Sequence, residues 1–374
     1  MLHVKKENFY LKEFTFENGM KIPVQIGYET YGKLNWEKSN VILVCHYFSA
    51  TSHAAGKYTE EDPFPGWWDG LIGPGKAIDT DRYFVICTDN ICNVQVKNPY
   101  VMTTGPKSIN PITGFEYGME FPVFTFLDVA RVQYELVKAM GIKRLHAVIG
   151  PSAGGMIAQQ WAVHYPDVVE RMIGVITNPQ NPVVTSVNVL QNAIEAIQLD
   201  PKWNDGNYGE EQPMKGLHVA GKMMFINAFD AHYYETTFQR NSAETAPYEN
   251  FSALLSFEQN INALTLQNIT FVDANSWMYT AKATLLHDLA HGFSSLEEAL
   301  FQIEADVLMI PCKQDLLQPS RYNYQMVDVL RKQGKYAELY EIESINGHMA
   351  GVIDVHLFEK KVDEFLRRRV SSQV

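Results

Sequence analysis

Five short stretches built almost wholly of apolar residues recur along this chain, and they constrain its fold more than any other feature. They are Val41-Ile-Leu-Val-Cys45, Tyr83-Phe-Val-Ile-Cys87, Leu145-His-Ala-Val-Ile149, Ile173 to Ile176 and Asp306-Val-Leu-Met-Ile310. Each has the length of a strand and is too short for an ordinary helix. A strand with one wet face alternates apolar and polar residues. A continuous apolar run needs cover on both faces, which is the condition of a parallel sheet. Helical patterns lie between the runs. Phe126 to Met140 ends at Gly141, a natural C-cap. Val355, Phe358, Val362 and Phe365 recur at three- and four-residue spacing and predict a last helix with one apolar face. The first thirty residues read as a hairpin that turns at Asn18-Gly19. The alternation predicts an α/β fold: a mostly parallel sheet flanked by helices.

The rhythm breaks between 179 and 296. Asn178-Pro-Gln-Asn-Pro182 opens this stretch with turn chemistry, and helix-like segments rich in Asn, Gln, Met and aromatics follow. We read 1–178 and 297–374 as one core and 179–296 as a helical insertion. The net charge of −12 argues against nucleic acid or an anionic membrane as partner, since both need a basic face. Cys45, Cys87, Cys92 and Cys312 are too few for a disulfide framework and predict free thiols in a reducing compartment. The N-terminus carries no signal-peptide core, and no apolar run approaches the roughly 18 residues of a membrane span. A cytoplasmic protein is expected.

The chemistry centres on Gly150-Pro-Ser152-Ala-Gly154, a G-x-S-x-G that follows one predicted strand and precedes a helix. That context is what a nucleophile elbow requires. It makes Ser152 the candidate nucleophile. A serine hydroxyl needs a base, and on such elbows the partners follow in the order acid, then histidine. Asp315 lies past the strand 306–310, and His348 past a strand predicted over 337–342. Both are at strand C-terminal ends, where α/β active sites gather. Asp306 starts a strand, Asp328 falls on a helix, and His356 sits among charged residues on the last helix, so these rank below.

An oxyanion hole takes two backbone N–H groups. Ala153, after the nucleophile, supplies one candidate, and Phe48, in the loop after the strand 41–45, the other. His46 and His53 on that loop lack further ligands for a metal, so no metal site is expected. Gly73-Pro-Gly-Lys76 lacks the spacing of a phosphate loop.

The same blocks, with Gly66-Trp-Trp-Asp69, Gly105-Pro-Lys-Ser-Ile-Asn-Pro111, Asp200-Pro-Lys-Trp203 and Asp273-Ala-Asn-Ser276, resemble the homoserine O-acetyltransferase family over nearly the whole chain. The resemblance implies an α/β-hydrolase fold with a helical lid at 179–296 and a homodimer built through that lid. It also implies acetyl-CoA as co-substrate, with no permanently bound cofactor. In the acceptor site the chain departs from the family pattern. Gly221 follows Gly216-Leu-His-Val-Ala220 where the family carries an arginine, with Lys222 next to it. Met349 follows His348 where the family carries an aspartate. Gly221, Lys222 and Met349 are therefore the candidate acceptor-pocket residues, and the acceptor is expected to be a small hydroxyl compound other than free homoserine. Two readings use this Ser/Asp/His set: an acyltransferase passing through acyl-Ser152, and a serine esterase in which water is the acceptor. A binding protein on a disabled hydrolase fold would not need the set intact.

Overall fold

The structure is a computed structural model and describes residues 4–238, 240 and 249–370. Strands β1 (Glu7–Thr15) and β2 (Lys21–Tyr31) form the expected antiparallel hairpin. Of the Asn18-Gly19 pair, Gly19 alone takes a positive φ (+84°). Then come β3 (Val41–Val44), a small ribbon of β4 (Ile72–Gly73) and β5 (Ile78–Asp79), and β6 (Phe84–Thr88). Helix α1 (Phe126–Ala139), β7 (Ala147–Pro151), α2 (Ala153–His164) and β8 (Arg171–Val175) complete the first half. Gly141 follows α1 at φ +71°, as a C-cap.

Helices dominate the next segment: α3 (Val183–Thr185), a π-helical stretch (Ser186–Gln191), α4 (Asn192–Gln198), α5 (Met214–Ala228), α6 (Ala231–Thr237), α7 (Ser256–Asn268) and α8 (Ala274–Leu285). Among its described residues the only strand-like pairing is an isolated bridge, Gln180 to Asp288. The core resumes with α9 (Leu296–Phe301), β9 (Asp306–Ile310), α10 (Arg321–Lys332), β10 (Ala337–Leu339), α11 (Ala350–Ile353) and α12 (Glu359–Arg367).

Among the described residues eight strands form one sheet in the order β1-β2-β6-β3-β7-β8-β9-β10, antiparallel at the hairpin edge and parallel from β6 onward. The apolar runs follow from two-sided cover. Val41 and Leu43 pack into the core on one face, with α1, α2 and α10, whereas Ile42 and Val44 pack on the other, with Trp68 and α12. Val307 and Met309 against Leu308 and Ile310 repeat this on β9. A third core, of Val189, Leu190, Leu217, Ala220 and Trp277, lies mainly within the insertion and is joined by Val94 and Leu317 from the rest of the chain. Helix α8 belongs to both layers, since its Tyr279 and Ala283 pack into the sheet-face core.

Two expectations shift. The strand predicted over 337–342 stops at Leu339, and Ile342 keeps only a bridge to Cys312. The last apolar face is split, with a 3-10 turn over Val355–Leu357 and α12 beginning only after Phe358, whose φ is −134°.

Candidate active site

Ser152 joins β7 to α2 with φ +54° and ψ −122°, a conformation L-residues rarely hold. The turn is possible because the residues two before and two after it, Gly150 and Gly154, lack side chains. A Cβ on Gly154 would stand 2.0 Å from the Cys45 carbonyl oxygen, and one on Gly150 2.4 Å from the Gly154 carbonyl carbon. Strand, turn and helix are thus pressed together, and the Ser152 hydroxyl is left facing a cavity at the head of α2.

The Ser152 hydroxyl donates to His348 Nε2 at 2.7 Å, and His348 Nδ1–H donates to Asp315 Oδ2 at 2.7 Å. The Leu317 and Gln318 N–H groups, both at 2.8 Å, fix the other oxygen of Asp315. Serine and histidine are 196 residues apart in sequence. His348 rides on a 3-10 turn (Gly347–Met349) pressed against the insertion. The Asp230 N–H donates to Ile345 O at 3.1 Å, and a Cβ on Gly347 (φ +53°) would lie 2.9 Å from Asp230 N. The rival residues are elsewhere. Asp306 pairs with Arg368 at the opposite end of the sheet, Asp328 pairs with Lys332 at 2.6 Å, and His356 is exposed.

Ser152, Ala153, Phe48 and His348 line a cavity of about 550 Å³, and residues of the insertion form much of its remaining wall. Helices α5 and α8 and the π-helical stretch contribute apolar walls, including Leu190, Met224, Phe225 and Trp277. Burial pushes the Tyr47 phenol in this wall up to about 12, so it is neutral. Among the described lining residues none carries an Asp, Glu, Lys or Arg side chain. Gly221 and Met349 line the cavity. Lys222 does not, and that expectation is corrected: one residue on along α5 turns its side chain about 100° away, and its Nζ donates to Asn262 Oδ1 on α7 at 3.0 Å.

The histidines of the loop after β3 are engaged by the protein. His46 Nδ1–H donates to Tyr47 O at 2.7 Å, and its Nε2 accepts from the Asn90 N–H at 3.2 Å. Burial lowers the His46 pKa and keeps the ring neutral. Lys76 Nζ contacts Asp69 Oδ2 at 3.1 Å, so the Gly73–Lys76 turn is held within the protein.

Sequence reasoning missed a charged cluster behind the same loop. Glu29 and Asp89 are both completely buried. Lys6 Nζ lies 3.0 Å from Glu29 Oε1 and 3.2 Å from Asp89 Oδ2. Burial pushes the Glu29 carboxyl up, but hydrogen bonds from His53 and Tyr58 and the charge of Lys6 outweigh it and hold the group at about 2. The available signal was an acid on a buried strand and another directly after one: Glu29 in Gly27-Tyr-Glu-Thr30 and Asp89 after Phe84–Thr88.

The profile of the alpha/beta hydrolase fold matches residues 40–349. A homoserine O-acetyltransferase of Deferribacter desulfuricans is 38% identical over 95% of this chain and 93% of its own length. The crystal structure of a homoserine O-acetyltransferase from Bacillus anthracis superposes with a TM-score of 0.98 at 78% identity, covering 99% of this chain and 100% of that one. That of an esterase, E22, superposes with a TM-score of 0.93 at 40% identity, covering 97% and 100%.

Proposed function

Since the chain belongs to the homoserine O-acetyltransferase family of α/β-hydrolase-fold enzymes, we propose that it moves an acetyl group from acetyl-CoA to an acceptor hydroxyl through acetyl-Ser152. The observation that carries this reading is the unbroken relay from Ser152 through His348 to Asp315 at the wall of the cavity. His348 Nε2 takes the Ser152 proton as Oγ attacks the thioester carbonyl. The oxyanion rests on the Phe48 and Ala153 N–H groups, and Asp315 holds the imidazolium by its Nδ1–H. The tetrahedral adduct collapses, the C–S bond breaks, and His348 returns the proton to the departing CoA thiolate. An acceptor O–H then gives its proton to His348 and attacks the acetyl-serine. The second collapse frees the new ester and restores the serine hydroxyl. No bound cofactor or metal is needed for these steps.

The acceptor is the finer question. A free amino acid brings an ammonium and a carboxylate, and burying either without a partner is costly. The described walls are apolar, hydroxyl and amide in character, and Gly221 and Met349 are uncharged where they line the cavity. We therefore read the preferred acceptor as a small hydroxyl compound without full charges next to its hydroxyl. The likeness to the esterase E22 supports a second reading, in which water takes the acetyl group. In both readings the insertion 179–296 is a lid over a core of 1–178 and 297–374. Exposed apolar side chains on it, Val183, Val184 and Leu199 among them, support a homodimer through the lid; sedimentation of a lid variant such as Leu199→Asp tests this.

Incubation with acetyl-CoA, with mass spectrometry of Ser152 over time, tests the chemistry. Slow decay of acetyl-Ser152 in water and fast decay with an alcohol is the expected outcome. Rapid decay in water alone means an esterase, and absence of any adduct overturns the covalent mechanism.

A further inference from the structure

The loop over residues 46–55 brings Tyr47, Phe48 and Ser49 to the cavity wall, yet it contains no helix or strand to hold its shape. Its backbone is tied instead to side chains from other parts of the core. Asn93 Nδ2 donates to Ala50 O at 2.9 Å, and Trp67 Nε1 donates to Thr51 O at 3.0 Å. The Ser52 N–H donates to Asp89 Oδ1 at 2.8 Å, and the Ala54 N–H donates to the Tyr31 hydroxyl at 2.9 Å. That hydroxyl donates in turn to Glu29 Oε2 at 2.8 Å. Lys6 Nζ closes the arrangement on the Ser52 hydroxyl, Glu29 and Asp89 together.

Two buried carboxylates and one ammonium are an expensive way to hold a fold together. Removing each ion from water costs several kcal/mol, and apolar packing of the same volume often stabilises as well. What apolar packing lacks is direction. Here the charges end on particular atoms of one loop: the Ser52 N–H, the Ser52 hydroxyl and, through Tyr31, the Ala54 N–H. The same loop brings Phe48, four residues before Ser52, to the cavity that Ser152 also lines. A donor displaced by about 1 Å forfeits on the order of 10²-fold in rate, so accurate placement of this loop has a catalytic return.

We propose that Lys6, Glu29 and Asp89 are positioning residues that set the loop 46–55, and with it the Phe48 N–H, against the reacting carbonyl at Ser152. The inference rests on the acyl-serine reading above. It gives the N-terminal segment before β1 a role in the rate of the chemical step, although Lys6 is not among the residues that line the cavity at Ser152.

The test uses single-turnover acylation by p-nitrophenyl acetate, which needs Ser152 and the oxyanion donors but neither CoA nor an acceptor. Nitrophenolate release reports the acylation rate constant, and its saturation reports ester binding. Lys6→Ala is expected to lower the rate constant about 10- to 100-fold while ester binding changes less than about twofold, the split that positioning predicts. Millimolar n-propylamine, which brings an ammonium back to the vacated space, restores part of the rate, and tetramethylammonium does not. Asp306→Asn, which breaks the pair with Arg368 at the far end of the sheet, serves as control and leaves the rate constant unchanged. Lys6→Ala with a rate constant near that of the wild type, or a loss matched by Asp306→Asn at equal thermal destabilisation, overturns the proposal. Should Lys6→Ala not fold, Ser52→Ala keeps the charges paired and removes only their hold on the hydroxyl. A several-fold slower acylation at an unchanged melting temperature supports the proposal, and an unchanged rate overturns it. Wild-type protein that forms no acetyl-Ser152 overturns the acyl-serine reading and this inference together; a failure confined to the variants touches this inference alone.

Discussion

Ser152 holds its φ of +54° because the strand before it, the helix after it and the Cys45 carbonyl leave the backbone no other path. A strained conformation of this kind costs about 1–3 kcal/mol and persists only where the surroundings over-determine it. The strain resides in the backbone, so Ser152→Ala keeps it and loses only the hydroxyl. The variant is expected to fold with a melting temperature close to the wild type and to form no acyl-enzyme, with turnover lower by orders of magnitude. Near-normal turnover on acetyl-CoA would contradict the covalent route. Asp315 acts one step back. Asp315→Asn keeps the shape but favours the wrong imidazole tautomer, and a loss on the order of 10⁴ in turnover is expected from the serine-protease precedent. Asp306→Asn, far from His348, should lose far less. A ranking of the two variants in the other order would reassign the acid.

At the scale of elements, the elbow depends on the approach of α2 to the loop after β3. Gly154→Ala sets a methyl 2.0 Å from the Cys45 carbonyl. Overpacking typically costs about 1–3 kcal/mol, and here the contact is with backbone, which gives way less readily than a side chain. A lower melting temperature together with lost acylation is expected; a variant that keeps both would mean that α2 shifts freely. Helix α5 carries the second test. Gly221→Arg with Met349→Asp introduces a cation and an anion into an uncharged wall, and homoserine should then gain in kcat/KM relative to simple alcohols such as 1-butanol. A wild-type enzyme that already prefers homoserine to every neutral alcohol, at a kcat/KM above about 10⁴ M⁻¹s⁻¹, would refute the neutral-acceptor reading. Much of this geometry was legible in sequence. The apolar runs announced a sheet covered on both faces, and the glycines around Ser152 announced the elbow, because both are local demands of packing. Asp315 and His348 were legible through their order along the chain and their place after strands. Lys6, Glu29 and Asp89 were not, since their partnership is made by three-dimensional closeness and no spacing records it. The direction of Lys222 followed from helical rotation, but its partner Asn262 lies on a helix that the sequence does not pair with α5.

The molecule as a whole carries its pH response in buried rings. Burial, with the neighbouring Arg171 guanidinium, lowers His146 to about 4, and burial lowers His287 to about 4, against an ordinary value of 6.5. Between pH 6.5 and 4 the unfolded chain therefore binds protons that the folded chain refuses, so stability falls as the pH falls through this window. Each ring contributes at most about 1.4 kcal/mol per pH unit. Asp128, raised to about 6 by burial, opposes this in part, because the folded state takes its proton first. Glu29 acts lower. Its contribution, roughly 3 kcal/mol, is complete above its ordinary value of 4.5 and is lost as the pH falls toward about 2. Urea midpoints should drop measurably between pH 6.5 and 5, before most unfolded carboxyls titrate; midpoints that rise there, as Asp128 alone would make them, would place those two rings in water. Another consequence follows from the position of the insertion between β8 and β9. A ribosome makes Ser152 well before His348, with the whole helical segment in between. While that segment emerges, β8 waits as an unpaired edge, the kind that recruits other chains. The nascent protein thus has a serine elbow that cannot yet react and a sheet that cannot yet close, and both are completed by the same late stretch of chain, so a fragment lacking that stretch should be inert and prone to aggregate.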